Sequence, residues 1–133
     1  MQLSQEQVSQ FQENGFLVVG GLLADDEVNT LNARADLVAS GTADHVPPAR
    51  LQVEAAVAEG KQNAESRIDA LRKMSHVAFF DEVFEAHARN AKVLDVIESL
   101  LGPDIKFYQD QLFMKPPRIG SRQPYHQDAP LGF

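Results

Sequence analysis

The sequence contains no cysteine, which excludes disulfides, thiolate metal sites and a cysteine nucleophile, and leaves nitrogen and oxygen donors for any metal. Positive charge is scarce. Twelve Lys and Arg against 19 Asp and Glu give a formal net charge of −7, so there is no basic field to hold a phosphate backbone and nucleic acid is not expected as a partner. No apolar run approaches the roughly 20 residues that a membrane span needs. The polar start, Met1 to Asn14, also lacks the basic and apolar regions of a signal peptide, and a cytoplasmic, soluble protein is the expectation. Repeats, linkers and low-complexity tracts are missing as well, so 133 residues at 44% hydrophobic content read as one domain.

What is there begins with a helix that Ser4 can cap, with Val8 and Phe11 on one side and Gly15 as its stop. Phe16 to Val19 is a β-branched and aromatic run closed by Gly20-Gly21, which suits a short buried strand. Asp25, Asp26 and Glu27 then open a second helix, in which Val28, Leu31, Ala35 and Val38 recur at helical spacing up to Gly41. From Gly41 to about Ser66 the pattern dissolves around Pro47-Pro48 and Gly60, and a surface excursion with one weak helix from Leu51 to Ala58 is expected. Ile68 to Val77 alternates and reads as a strand. Asp81 to Ala88 and Asn90 to Leu101 read as two helices, the second with an apolar stripe of Val93, Leu94, Ile97, Leu100 and Leu101 that Gly102-Pro103 terminates. Ile105 to Met114 is strand-like, a Pro, Gly and Ser loop follows, and Tyr125 to Ala129 is a short further strand. Helices first and strands last is an α+β order.

The chemistry concentrates at His126-Gln127-Asp128. On a strand the side-chain period of two places His126 and Asp128 on one face and Gln127 on the other. An imidazole and a carboxylate so arranged supply two corners of a facial triad, with open positions for a bidentate co-substrate and for dioxygen once a second histidine joins. The triplet taken alone also suits a surface role, with His126 hydrogen-bonded near a loop and Asp128 at a turn.

Its surroundings narrow the choice. From Leu100 to Asp128 the chain carries Leu-Leu-Gly-Pro-Asp-Ile, then Gln-Leu-Phe-Met-Lys-Pro-Pro, a Gly and Ser loop, and Tyr-His-Gln-Asp. Between Phe11 and Leu23 it carries Asn-Gly-Phe-Leu-Val-Val-Gly-Gly-Leu-Leu. In both stretches it resembles the phytanoyl-CoA dioxygenase family of non-haem Fe(II)/2-oxoglutarate-dependent dioxygenases. The resemblance implies a double-stranded β-helix, or jelly roll, fronted by helices: residues 1–133 as a single partial domain, 1–101 mostly helical with short strands and 102–133 the start of the jelly-roll core. It also implies Fe(II), 2-oxoglutarate as co-substrate, and hydroxylation of a carbon in a small or lipid-like substrate molecule.

Residue by residue, the resemblance makes His126 and Asp128 the catalytic metal ligands. It sets Lys73 where the family often has a basic residue lining the site, and Gln111 where it has a side chain close to the co-substrate. That pairing has physical sense, because a dicarboxylate in a pocket wants a cation and a hydrogen-bond donor. Arg118 and Arg122 lie on a loop and should face solvent. His87 suits the C-terminal end of a helix, His45 a surface loop, and His76 could line the pocket.

The family also uses a distal histidine as third iron ligand and a distal arginine for the far carboxylate of 2-oxoglutarate, both beyond the His-x-Asp motif. Here the sequence stops five residues after Asp128, and about four candidate strands stand where a jelly roll has eight. An incomplete sheet, weak iron binding, little turnover and self-association through open sheet edges are therefore expected. Two other readings stand beside the oxygenase: a catalytically incompetent binding module, and a cupin-like isomerase or epimerase that uses the motif with another divalent ion.

Overall fold

The structure, a computed structural model, describes residues 2–127. Local signals dominate its helical part. In α1 (Gln5–Asn14) the Ser4 hydroxyl accepts from the Gln7 backbone N–H at 3.3 Å, and the Gln7 side chain accepts from the Ser4 N–H at 2.9 Å. This reciprocal pair satisfies two otherwise orphaned donors. The long helix α2 (Asp25–Ser40) closes on Gly41, whose φ of 78° is a left-handed conformation open to glycine at no steric cost. Two short helices, α3 (Ala55–Ala58) and α4 (Arg67–Ala70), precede α5 (Glu82–Ala88) and α6 (Ala91–Leu101). Asp81 and Asn90 cap the last two, and α1 docks on α6 where the Leu3 N–H donates to the Ser99 hydroxyl at 3.1 Å.

Three strands, β1 (Leu51–Val53), β2 (Leu71–Ser75) and β3 (Gln111–Phe113), form an open antiparallel sheet in that order. Gln52 lies opposite Lys73 but Val53 lies opposite Leu71, so Arg72 is an extra residue bulged out of β2. The bulge explains why Leu71 and Met74, three apart, are both fully buried, when an unbroken pleat would send them to opposite faces. They join Val38 and Ala39 of α2, Val77 and Ala78 of the 3-10 turn Val77–Phe79, and Phe84 of α5 in one core.

Several expectations from the sequence are corrected here. The stretch 41–66 is a surface excursion only in part: Ala43 and Val46 enter the core, Pro48–Arg50 forms a 3-10 turn, residues 51–53 are a strand, and the expected helix is confined to Ala55–Ala58. The backbone of β1 finds a partner in β2, and tertiary pairing overrides a modest helix propensity. Residues 68–77 are split, because Ser66 caps α4 through the Asp69 N–H at 3.1 Å before β2 begins. Residues 16–19 have no ladder partner among the described residues and are not a strand; Phe16 and Val18 are largely exposed. Of 105–114 only Gln111–Phe113 pairs, and residues 125–127 are irregular, with the rest of the expected last strand outside the described residues. Only Val96 of α6 is buried. Its stripe residues Val93, Leu94 and Ile97 line an open cleft of about 950 Å³ together with Ile105, Phe107 and Tyr108.

The fold is thus mixed α+β, with six helices and a small open sheet among the described residues. No described helix is long and apolar enough to cross a membrane.

Candidate metal centre and co-substrate face

Strand register decides which candidate residues meet. Directly opposed residues of an antiparallel pair share a face, as do residues two apart along one strand. Gln52, Lys73 and Phe113 are opposed across the three strands, and Ser75 is opposed to Gln111. Lys73 and Gln111 therefore lie on one face, while Leu51, Met74 and Leu112 turn the other face to the core. The Lys73 ammonium sits 5.7 Å from the centre of the Phe113 ring, a cation–π distance. Gln111 is exposed at the start of β3.

The chain then turns back. Lys115 takes a positive φ of 39° and Arg118 one of 68°, and the Ile119 and Gly120 N–H groups donate to the Pro117 and Pro116 carbonyls at 2.8 and 2.9 Å. A Cβ on residue 120 would stand 2.7 Å from the Pro116 oxygen, so this tight loop requires glycine. It leads to His126, whose ring is exposed and whose Nδ1 lies 2.9 Å from the Pro124 carbonyl oxygen. A carbonyl can only accept, so this contact puts the ring proton on Nδ1 and the lone pair on Nε2. Metal-bound imidazoles are commonly oriented in this way. Asp128 lies outside the described residues. Among the described residues no three His, Asp or Glu side chains converge to hold a metal ion.

Away from this region, Asp81 is 1% exposed and organises the helical layer. One carboxylate oxygen accepts from the Val83 and Phe84 N–H groups at 3.0 and 3.3 Å. The other meets His45 Nε2 at 2.8 Å and the Arg34 guanidinium at 3.6 Å. Burial alone would push this carboxyl up; His45, the two N–H groups and Arg34 outweigh it and hold it below its ordinary 3.8. His45, expected on a surface loop, is thus the half-exposed partner of a buried acid. His76 takes a left-handed φ of 59°, lies tilted beside Phe79 with ring centres 6.0 Å apart and has a buried Nδ1 with no hydrogen-bond partner among the described residues. His87 occupies the last turn of α5, and Arg118 and Arg122 are exposed.

A second buried carboxylate, Glu54, was not singled out from the sequence. It is 1% exposed and faces Arg72 Nη1 at 3.5 Å, while Arg72 Nη2 donates to Gln123 Oε1 at 2.8 Å. Separations of 18 and 51 residues carry no local pattern.

Comparison with known proteins finds that the family profile for phytanoyl-CoA dioxygenase (PhyH) matches residues 11–133. Among curated proteins, the peroxisomal phytanoyl-CoA dioxygenase of Mus musculus is 30% identical over 129 residues, 95% of this chain and 37% of that protein. The Rattus norvegicus counterpart matches at 30% over the same length and shares. An ectoine dioxygenase of Bordetella parapertussis is 27% identical over 126 residues, again 95% of this chain and 37% of its own length. The chain therefore spans about 37% of the length of these relatives.

Proposed function

The chain belongs to the phytanoyl-CoA dioxygenase family, and from that premise we propose that it forms part of a non-haem Fe(II)/2-oxoglutarate-dependent oxygenase acting on a small or lipid-like molecule. In this reading His126, through Nε2, and Asp128 are metal ligands. Lys73 and Gln111 contact the co-substrate across the exposed face of the sheet. The observation that supports it is the His126 ring, whose Nδ1 meets the Pro124 carbonyl at 2.9 Å and is oriented by it as metal-bound imidazoles commonly are. Iron and 2-oxoglutarate, when bound, supply the dioxygen chemistry that hydroxylates a C–H bond.

The chain's own contributions are positional. Pro124 orients the imidazole, and the Lys73 ammonium offers a charge for a carboxylate, at present resting on Phe113. Gln111, on the same face, offers a donor amide. The relatives carry the names of two dissimilar molecules, phytanoyl-CoA and ectoine, so the substrate class is kept broad. We also expect self-association through the outer edges of β1 and β3, to be checked by sedimentation.

The deciding experiment is anaerobic addition of Fe(II) and 2-oxoglutarate, followed by the visible charge-transfer band that the two give when bound to one metal. A weak band should appear at high Fe(II), vanish in His126→Ala, and need more 2-oxoglutarate in Lys73→Ala while Fe(II) binding alone is unchanged. Metal binding without a band would favour a cupin-like isomerase, and no metal binding at all would defeat the proposal.

A further inference from the structure

Glu54 is hard to explain as a stabilising residue. A buried carboxylate normally offsets its desolvation with close, well-satisfied partners, yet its Oε1 has no hydrogen-bond partner among the described residues and its Oε2 meets Arg72 at a long 3.5 Å. Arg72 is the bulged residue of β2, released from the pleat, and its guanidinium points two ways: Nη1 toward Glu54 and Nη2 to Gln123 at 2.8 Å. Its backbone carbonyl meanwhile accepts from the Met114 N–H at 2.9 Å, where the chain leaves β3. One residue thus grips both the exit of β3 and the far side of the 115–123 loop. That loop is docked rather than splayed, since Pro116 is buried and the Ser121 hydroxyl oxygen is shielded from water. Gln123 lies one residue before Pro124, whose carbonyl holds the His126 ring.

From these contacts we infer that Arg72, anchored by Glu54, is a positioning residue: the Glu54–Arg72–Gln123 strut runs from the 41–66 stretch to the loop that carries His126 and sets where its imidazole stands. The buried, half-satisfied carboxylate then has a role. It fixes a guanidinium whose other arm must reach a residue 51 positions away along the chain. That the positioned group is a metal ligand rests on the proposed function; that the loop is held by Arg72 does not.

The test uses the 133-residue chain with Gln123→Ala, Gln123→Glu and Arg72→Met, read by two measurements. Trypsin cleavage after Arg122 reports loop docking, and Co(II) titration followed by absorbance reports the ligand set. Gln123→Ala should leave the urea midpoint unchanged, speed cleavage several-fold and weaken Co(II) binding about tenfold, the lower range for loss of a group that orients a ligand. Gln123→Glu, which still accepts from Arg72, should bind Co(II) nearly as wild type does. Arg72→Met should behave as Gln123→Ala, and if it fails to fold Gln123→Ala decides. Unchanged cleavage or unchanged Co(II) affinity in Gln123→Ala overturns the inference. If the wild-type chain binds no Co(II), the metal reading fails, and cleavage alone then judges the strut.

Discussion

Asp81 and Glu54 are each 1% exposed, and each meets an arginine, yet they are built in opposite ways. Asp81 uses both oxygens, on two backbone N–H groups, an imidazole and a guanidinium contributed by α2, α5 and the loop after α2. Glu54 uses one oxygen, at 3.5 Å, on an arginine that is also committed to Gln123. The first arrangement closes on itself and ties the helical layer together. The second is open-ended and transmits position from the core side of the sheet to the loop before His126. A buried acid with every lone pair engaged argues for stability, and one with capacity left over argues for a different purpose.

The contrast breaks most visibly at Asp81. Replacing it with Ala takes the acid from His45, leaves Arg34 with Glu82 alone at 3.3 Å and uncaps α5, and should cost about 2–4 kcal/mol in urea denaturation; a loss under 1 kcal/mol would remove the basis for the comparison. Acid should act in the same direction. The Asp81 carboxyl is held below 3.8 in the folded chain, so its contribution is fully present above that value and is lost as the pH falls below it toward the folded value. The stability gap between wild type and Asp81→Asn should therefore hold above about pH 4 and narrow as the pH falls below 3.8.

Glu54→Gln sharpens the other side. With one oxygen already unpartnered, the change should cost only about 1 kcal/mol, and a loss as large as that of Asp81→Ala would show that the two acids do the same job. The smallest effect belongs to Glu27, which accepts from Lys92 at 2.6 Å and from the Ala24 N–H at 2.7 Å. The Lys92 ammonium first, and then the Ala24 N–H, lower its carboxyl from 4.5 to about 2. Its exposed contribution is present above 4.5 and lost as the pH falls through about 2. Glu27→Gln should reduce the acid dependence in that window only slightly, and added salt should shrink the difference further.

How much of this was legible differs from element to element. The ends of α1 and α2 could be read directly, because Ser4, Gln7, Gly15 and Gly41 act within one turn of their own positions. The stretch 51–53 could not. Its alanine-rich continuation suggests helix, and it is a strand only because β2 lies beside it. Phe16 to Val19 misleads in the reverse sense, since a strand-like composition gives no strand without a partner. At the candidate site, Lys73 and Gln111 could be named from a resemblance, but their shared face follows from a register that no single strand reveals. Arg72 and Glu54 carry no signal in the sequence, because a bulge and a contact across 18 residues leave no periodic trace.

The amino-acid order by itself determined the family, the helix ends and the identity of the donor residues, since caps, glycine stops and motif strings act over a few neighbouring positions. Tertiary structure alone decided which residues face each other: that Lys73 and Gln111 share an exposed sheet face, that Asp81 collects His45 and Arg34, and that Arg72 reaches Gln123. The physical reason is range. Hydrogen bonds to the nearest backbone are local, whereas strand register, a bulge and the pairing of a buried charge depend on segments that folding brings together from far along the chain.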